Sequence, residues 1–210
     1  MYTEALSKAV LFIFANIGCA SCLFGPPALR AESPAIPQRP TQGLTLLRPS
    51  RASVGAPVRL RIPSIGVDAA IEPVGRTSKG MMDAPGNPDT VGWYSLGSRP
   101  GEKGSAVLAG HLDWYGGKTA VFRHLDVLRK GDILSVETDK GKFVPFVVRE
   151  MRTLPSNEYA PDLFRSSDGS HLNLVTCSGA WDTARKNYSE RLVVSADAAG
   201  PGLQTDIPAG

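Results

Sequence analysis

Three residues suited to acyl-transfer chemistry lie at the predicted ends of strands in this 210-residue chain. Cys177 ends an alternating stretch, Arg191 begins a second one fourteen positions later, and His111 follows an apolar stretch. A thiol becomes a strong nucleophile when it ionises, and a nearby imidazole can take its proton and return one to a leaving amine. A guanidinium can stabilise the oxyanion formed during attack on a carbonyl.

Together these side chains predict a cysteine enzyme that breaks an amide bond, holds the acyl group as a thioester and passes it to a second nucleophile. Other interpretations stay open. Cys177 could be a buried, inert cysteine, and His111 could be a hydrogen-bonded structural histidine. Arg185 competes with Arg191, although its position in the middle of a loop favours a solvated charge.

Metal and cofactor chemistry has little support in the sequence. Cys177 and the three histidines show no zinc-site spacing, and His124 and His171 are expected to be surface or structural residues. The aspartates, Asp113 among them, lack the spacing of a calcium loop. No glycine-rich phosphate loop is present. We therefore predict neither a metal nor a cofactor.

The composition favours a loop-rich β domain. Seventeen prolines, twenty-two glycines and only 20% charged residues are typical of such a fold. The net charge is +3, and the basic residues form no stripe, which disfavours nucleic-acid binding. Cys19 and Cys22 lie in the apolar N-terminal segment and leave Cys177 alone in the remainder. A single unpaired cysteine in an exported domain suggests a reactive thiol.

Residues 1–25 are predicted to be an N-terminal signal anchor, because seventeen residues from Ala9 to Gly25 carry no charge. A cleaved signal peptide is an alternative. A lipid-modified cysteine is another, although Asn16 stands where an aliphatic residue is preferred. Residues 26–57 contain seven prolines and are predicted to be an extended linker. These segments predict a single-pass protein of the cell membrane with its catalytic domain outside the cytoplasm.

Residues 58–198 are predicted to form the catalytic domain, a mainly β fold closed into an eight-stranded barrel with one or two short helices. We expect a short helix over residues 119–128, a helical turn over residues 158–164, and a flexible tail at residues 199–210. The predicted strands are residues 58–62, 67–74, 91–94, 105–111, 133–137, 143–152, 171–177 and 191–195.

In their order along the chain, these stretches resemble the sortase family, and most of all its class F members from high-GC Gram-positive bacteria. The resemblance covers residues 58–198. It is carried by the following segments: Arg61-Ile-Pro-Ser-Ile-Gly-Val-Asp68, Gly92-Trp-Tyr94, the segment 104–113 around His111, the segment 121–132, Leu174-Val-Thr-Cys177, and Arg191-Leu-Val-Val194. Trp114-Tyr115 is bulkier than the family pattern at that point.

The resemblance implies an eight-stranded barrel that acts as a cysteine transpeptidase without a cofactor. Cys177 would be the nucleophile, His111 the general acid and base, and Arg191 the residue that stabilises the oxyanion or positions the substrate. Thr176 would help line the substrate groove. Cysteine and histidine in this family are expected to react as a thiolate–imidazolium pair.

The resemblance also implies the partners. Substrates would be surface proteins with a Leu-Pro-x-Thr-Gly-like sorting signal, cleaved between Thr and Gly and transferred to an amine of a peptidoglycan precursor. An L,D-transpeptidase is disfavoured, because Cys177 lacks the adjacent histidine and glycine of that class. A catalytically silent exported barrel that binds peptide or wall polymer is the remaining alternative.

Overall fold

A computed structural model describes residues 54–166 and 168–200. The predicted signal anchor, most of the predicted linker and the end of the predicted tail lie outside these residues. The strands, in chain order, are β1 (Pro57–Ile62), β2 (Val67–Val74), β3 (Val91–Tyr94), β4 (Gly104–Ala109), β5 (Asp113–Trp114), β6 (Lys118–Thr119), β7 (Ile133–Thr138), β8 (Phe143–Pro155), β9 (Ser170–Asp182) and β10 (Asn187–Ala198).

Eight of these strands close into a barrel in the order β1-β2-β3-β4-β9-β10-β8-β7, in which β7 pairs with β1. The pairs β2–β3 and β4–β9 are parallel, and the other neighbours are antiparallel. Strands β5 and β6 form a separate two-stranded ribbon. The predicted eight-stranded barrel is therefore confirmed.

The alternation of apolar and polar residues directs one face of each strand into the barrel. In β9, Leu172 and Leu174 are fully buried, and Thr176 is buried on the same face. Phe122 and Phe146 fill the interior with them. Burying each large apolar side chain stabilises the fold by about 1.5–3 kcal/mol, so a one-residue slip of β9 would be strongly unfavourable.

The hairpin of β9 and β10 is longer than the sequence predicted. Residues that pair across it extend to Asp182 and Asn187, so Cys177 lies within β9 rather than at its end. The sequence predicted that this strand ends at Cys177. Instead, Gly179 adopts a positive φ of 79° near a register shift, and pairing resumes beyond it.

The short helix predicted for residues 119–128 is wrong in type and extent, because only Leu125–Val127 form a 3-10 helix. The donors that a longer helix would need are used in tertiary contacts: the N–H of Val121 bonds to Pro88, and the N–H of Phe122 bonds to His111. The predicted helical turn at 158–164 is a 3-10 helix at Pro161–Phe164.

Within residues 54–166 and 168–200, no helix is long and apolar enough to cross a bilayer.

Candidate active site

Cys177 projects from the middle of β9 on the face opposite the barrel core. It is a partly exposed free cysteine, whereas its neighbour Thr176 points inward and is buried. In the register of β9 and β10, Cys177 pairs directly with Arg191. Side chains of directly opposed residues project from the same face, so the thiol and the guanidinium are neighbours.

His111 lies next to β9 because the residue before it is tied to that strand twice. The N–H of Gly110 donates to the carbonyl oxygen of Val175 at 3.0 Å. The hydroxyl of Thr176 donates to the carbonyl oxygen of Gly110 at 2.9 Å. A Cβ atom at position 110 would lie 2.4 Å from the Phe122 ring, so this close approach requires glycine.

The imidazole of His111 has a defined orientation. Its Nε2 atom lies 2.8 Å from the carbonyl oxygen of Pro85. A carbonyl only accepts hydrogen bonds, so Nε2 must carry a hydrogen and Nδ1 is the nitrogen that gains or loses a proton. The Trp114 ring meets the imidazole edge-on, with 4.7 Å between the ring centroids.

Glu72 supports the loop that supplies the Pro85 carbonyl. One of its carboxylate oxygens accepts the N–H of Gly86 at 2.8 Å and the hydroxyl of Thr90 at 3.3 Å. A chain of contacts thus runs from Glu72 through the loop backbone to the imidazole of His111.

Cys177, His111 and Arg191 line one groove with a volume of about 640 Å³. Its walls are the loop of residues 76–85 and the segment of residues 154–165, and its floor comes from β4, β9 and β10. The structure therefore brings together the three residues that the sequence singled out. Thr176 also borders the groove, with its hydroxyl bonded to Gly110.

Arg191 is held by two acceptors of its own strand. Its Nη1 donates to the carbonyl oxygen of Glu190 at 2.9 Å, and its Nη2 donates to the side-chain oxygen of Asn187 at 2.9 Å. Among the described residues these contacts use two of the five N–H donors of a guanidinium. The competitor Arg185 has an 85% exposed side chain and pairs with Asp182 in the hairpin turn.

Burial raises the pKa of the Cys177 thiol above its usual value. The guanidinium of Arg191 opposes this rise, and the carboxylate of Asp113 adds to it. Protonated thiol therefore predominates at neutral pH, and the nucleophilic thiolate is a minor form. The hydrogen bond that the Tyr188 hydroxyl donates to Asp113, together with burial, raises the pKa of Tyr188 to about 12.

Sequence reasoning missed Asp113, Tyr188, Glu72 and the Pro85 carbonyl. From the sequence, Asp113 was considered only as a possible calcium ligand. Its position two residues after His111 was a signal that it could lie near the catalytic candidates. The sequence assigned no role to the loop containing Pro85, because a backbone carbonyl leaves no trace in residue type. Tyr188 was missed because the hairpin was predicted to end earlier.

The remaining histidines lie elsewhere. His171 contacts Asp197 at 2.7 Å and Asp168 at 3.0 Å in a separate surface cavity, and His124 is exposed. In the part of the chain that the structure describes, no three histidine, cysteine, aspartate or glutamate side chains gather in a way that could hold a metal ion.

A family model described as the sortase domain matches residues 60–199, well over half of the chain. Among solved structures, a Clostridium perfringens sortase D5 transpeptidase is 23% identical, with a TM-score of 0.52, and the match covers 69% of this chain and 79% of that one. Streptococcus agalactiae sortase C1 is 24% identical, with a TM-score of 0.56 and coverage of 70% and 69%.

Sortase A from Corynebacterium diphtheriae is 18% identical, with a TM-score of 0.55 and coverage of 73% and 65%. At these identities the likeness to solved structures is evidence for the fold alone. No match is found among curated proteins.

Proposed function

The chain belongs to the sortase family, and on that premise we propose that Cys177, His111 and Arg191 are the catalytic residues of this cysteine transpeptidase. The observation that carries the assignment is their arrangement. Cys177 and Arg191 are directly paired across β9 and β10, and His111 lines the same groove. A nucleophile, an acid–base group and a cation around one site are what acyl transfer requires.

We propose that the substrate is the Leu-Pro-x-Thr-Gly-like sorting signal of a surface protein, cut between Thr and Gly. An open groove with apolar residues such as Met81, Tyr94 and Phe164 along it suits an extended peptide better than a compact ligand. The proline of that peptide fixes one backbone angle two residues before the threonine whose carbonyl Cys177 attacks.

In the first step, the Cys177 thiolate attacks the threonine carbonyl while Arg191 stabilises the oxyanion. The C–N bond then breaks, and His111 gives the proton on Nδ1 to the departing glycine nitrogen. The products are a Cys177 thioester, a neutral imidazole and a free amine. The raised pKa of Cys177 means that the reactive thiolate–imidazolium form is a minor fraction of the enzyme.

In the second step, an amine of a peptidoglycan precursor attacks the thioester, and the sulfur leaves as a thiolate. His111 accepts a proton from the incoming nitrogen, which restores the starting state. Class F is the subtype that the motifs resemble. With the predicted signal anchor at residues 1–25, we place the enzyme in the cell membrane with its catalytic domain on the outer side.

The test uses the full-length protein, a Leu-Pro-x-Thr-Gly peptide and an amine acceptor, with products read by mass spectrometry. We expect cleavage after threonine and a new amide to the acceptor. No cleavage by the native enzyme, together with a Cys177 thiol that resists a small thiol reagent, would favour the catalytically silent binding barrel.

A further inference from the structure

We propose that Asp113 and Tyr188 form a subsite beside Cys177 that attracts the cationic primary amine of the acceptor. The inference rests on the proposed function and deepens it, because it assigns residues to the second substrate. Asp113 begins β5, two residues after His111, and Tyr188 lies on β10 beyond the register shift.

The carboxylate of Asp113 accepts a hydrogen bond from the Tyr188 hydroxyl across 75 positions of the chain. This bond joins the segment that carries His111 to the end of the hairpin that carries Cys177. In the described part of the chain, no lysine, arginine or histidine forms an ion pair with Asp113. Among the described residues, the carboxylate therefore has a neutral donor and no paired cation.

The charge of Asp113 acts against the first chemical step. A negative carboxylate near Cys177 disfavours the thiolate, and it raises the pKa of this thiol. The same charge favours any cation that approaches the sulfur. A primary amine is an ammonium ion at neutral pH, so the acceptor is such a cation in the second step.

Asp113 and Tyr188 lie outside the groove that we assign to the sorting signal. An acyl chain in that groove would therefore leave them free for the second substrate. An aromatic ring adjoins Tyr188: Trp181 meets it edge-on, with 5.2 Å between the ring centroids. Trp181 is half exposed, and an exposed ring face can also bind an ammonium group.

These groups account for every proton and every bond in the transfer. The ammonium ion first gives one proton to water, and the free amine then forms the C–N bond while its second proton passes to neutral His111. The C–S bond of the thioester breaks, and Cys177 leaves as a thiolate. The Asp113 carboxylate attracts the cation but neither donates nor accepts a proton in this step. Arg123 is near enough to Tyr188 to lower its pKa, so this side of the site is not uniformly negative.

The first experiment needs no transpeptidase activity. Cys177 in the full-length protein is modified with a cationic trimethylammonium-ethyl methanethiosulfonate and with neutral methyl methanethiosulfonate, each of which releases methanesulfinate and leaves a mixed disulfide. Cys19 and Cys22 are replaced by serine so that only Cys177 reacts. The ratio of the two rates cancels any change in the thiol pKa.

We expect Asp113→Asn to lower the cationic-to-neutral ratio by roughly two- to fivefold, the range expected for one partly screened charge pair. Tyr188→Phe should lower it less, because the carboxylate remains. Asp126→Asn removes an exposed carboxylate that does not act on the thiol, and Tyr115→Phe alters an exposed tyrosine. Both controls should keep the native ratio. An unchanged ratio in Asp113→Asn overturns the proposal.

The second experiment measures aminolysis of the acyl-enzyme by a cationic amine and by hydroxylamine, which is neutral at pH 7. Asp113→Asn should lower kcat/KM for the cationic amine by the same factor and leave hydroxylamine unaffected. Equal losses with both nucleophiles would mean that Asp113 only holds the site together, and would refute the subsite. If the native protein forms no acyl-enzyme, the proposed function fails, and the modification rates alone decide whether the cation subsite exists.

Discussion

Cys177 on β9 and Arg191 on β10 are directly opposed residues of one antiparallel hairpin. The thiol and the guanidinium are fourteen positions apart in the chain, yet the strand register fixes them as neighbours. The guanidinium lowers the pKa of the thiol, against the larger effect of burial. A rigid cross-strand pair gives a geometry that a loop residue such as Arg185 would not provide.

Replacing Arg191 tests the consequence of this pairing. Arg191→Ala should lower kcat/KM for peptide cleavage by about 10²–10³, the usual effect of losing one oxyanion donor. Arg191→Lys should restore only part of the rate, because the planar fork of donors is lost. Arg185→Ala, in the exposed turn of the same hairpin, is the matched control and should be near the native rate. Full activity of Arg191→Lys would show that charge alone is sufficient.

The pH dependence of Cys177 alkylation tests the electrostatics. Iodoacetamide reacts with the thiolate, so the rate should rise with pH around a midpoint above the usual thiol value of about 8.5. Arg191→Ala removes the charge that stabilises the thiolate and should move the midpoint higher. Asp113→Asn removes an opposing charge and should move it lower. A native midpoint below the usual value would contradict the dominant effect of burial.

We predict that Gly110 cannot be replaced, because there is no room for a side chain at this position. A Cβ atom there would lie 2.4 Å from the ring of Phe122, and both hydrogen bonds between the Gly110 backbone and β9 depend on the close approach. Gly110→Ala should lower the free energy of unfolding by about 1–3 kcal/mol, measured in urea, and reduce peptide cleavage. Gly75→Ala adds a methyl group to open space and should do neither.

Glu72 is predicted to position His111 without touching the substrate. Glu72→Ala removes the acceptor for the Gly86 N–H, so the Pro85 carbonyl should hold the imidazole less firmly. We expect kcat to fall roughly five- to tenfold with KM unchanged, as for a lost hydrogen bond of about 1 kcal/mol. Glu72→Gln keeps an oxygen acceptor and should restore most of the rate.

Glu102→Ala is the matched control for Glu72, because it removes a carboxylate that accepts the N–H of Arg99 in a turn outside the groove. Its kcat should match the native value. A loss of stability without a change in kcat for Glu72→Ala would assign Glu72 a structural role only.

The barrel could be predicted because each of its strands is indicated by the alternation of apolar and polar residues within that strand. Alternation in β1, β2 and β9 identifies the buried face of each strand, and the end of β4 places His111 beside β9. The extent of the β9–β10 hairpin could not be predicted, because Gly179 continues the strand through a backbone state that usually ends one. The helix over residues 119–128 was wrong because tertiary hydrogen bonds replaced local ones.

The chemistry-bearing side chains could be selected by residue type, whereas their supporting contacts could not. Pro85 acts through its carbonyl oxygen, which every residue possesses. Asp113 and Tyr188 are 75 positions apart in the sequence and come into contact only in the folded chain. The roles of Cys177, His111, Arg191 and Thr176 stay predictions until variants are measured, as do the boundaries of the signal anchor and linker.

The central claim is that Cys177 carries the acyl group. Mass spectrometry of the full-length protein after reaction with a Leu-Pro-x-Thr-Gly peptide should show the peptide fragment ending in threonine as a thioester on Cys177. Cys177→Ala should form no adduct and cleave no peptide. His111→Ala should form little thioester adduct and little cleaved peptide. Both variants should stay folded. An adduct on another residue, or cleavage by Cys177→Ala, would contradict the account.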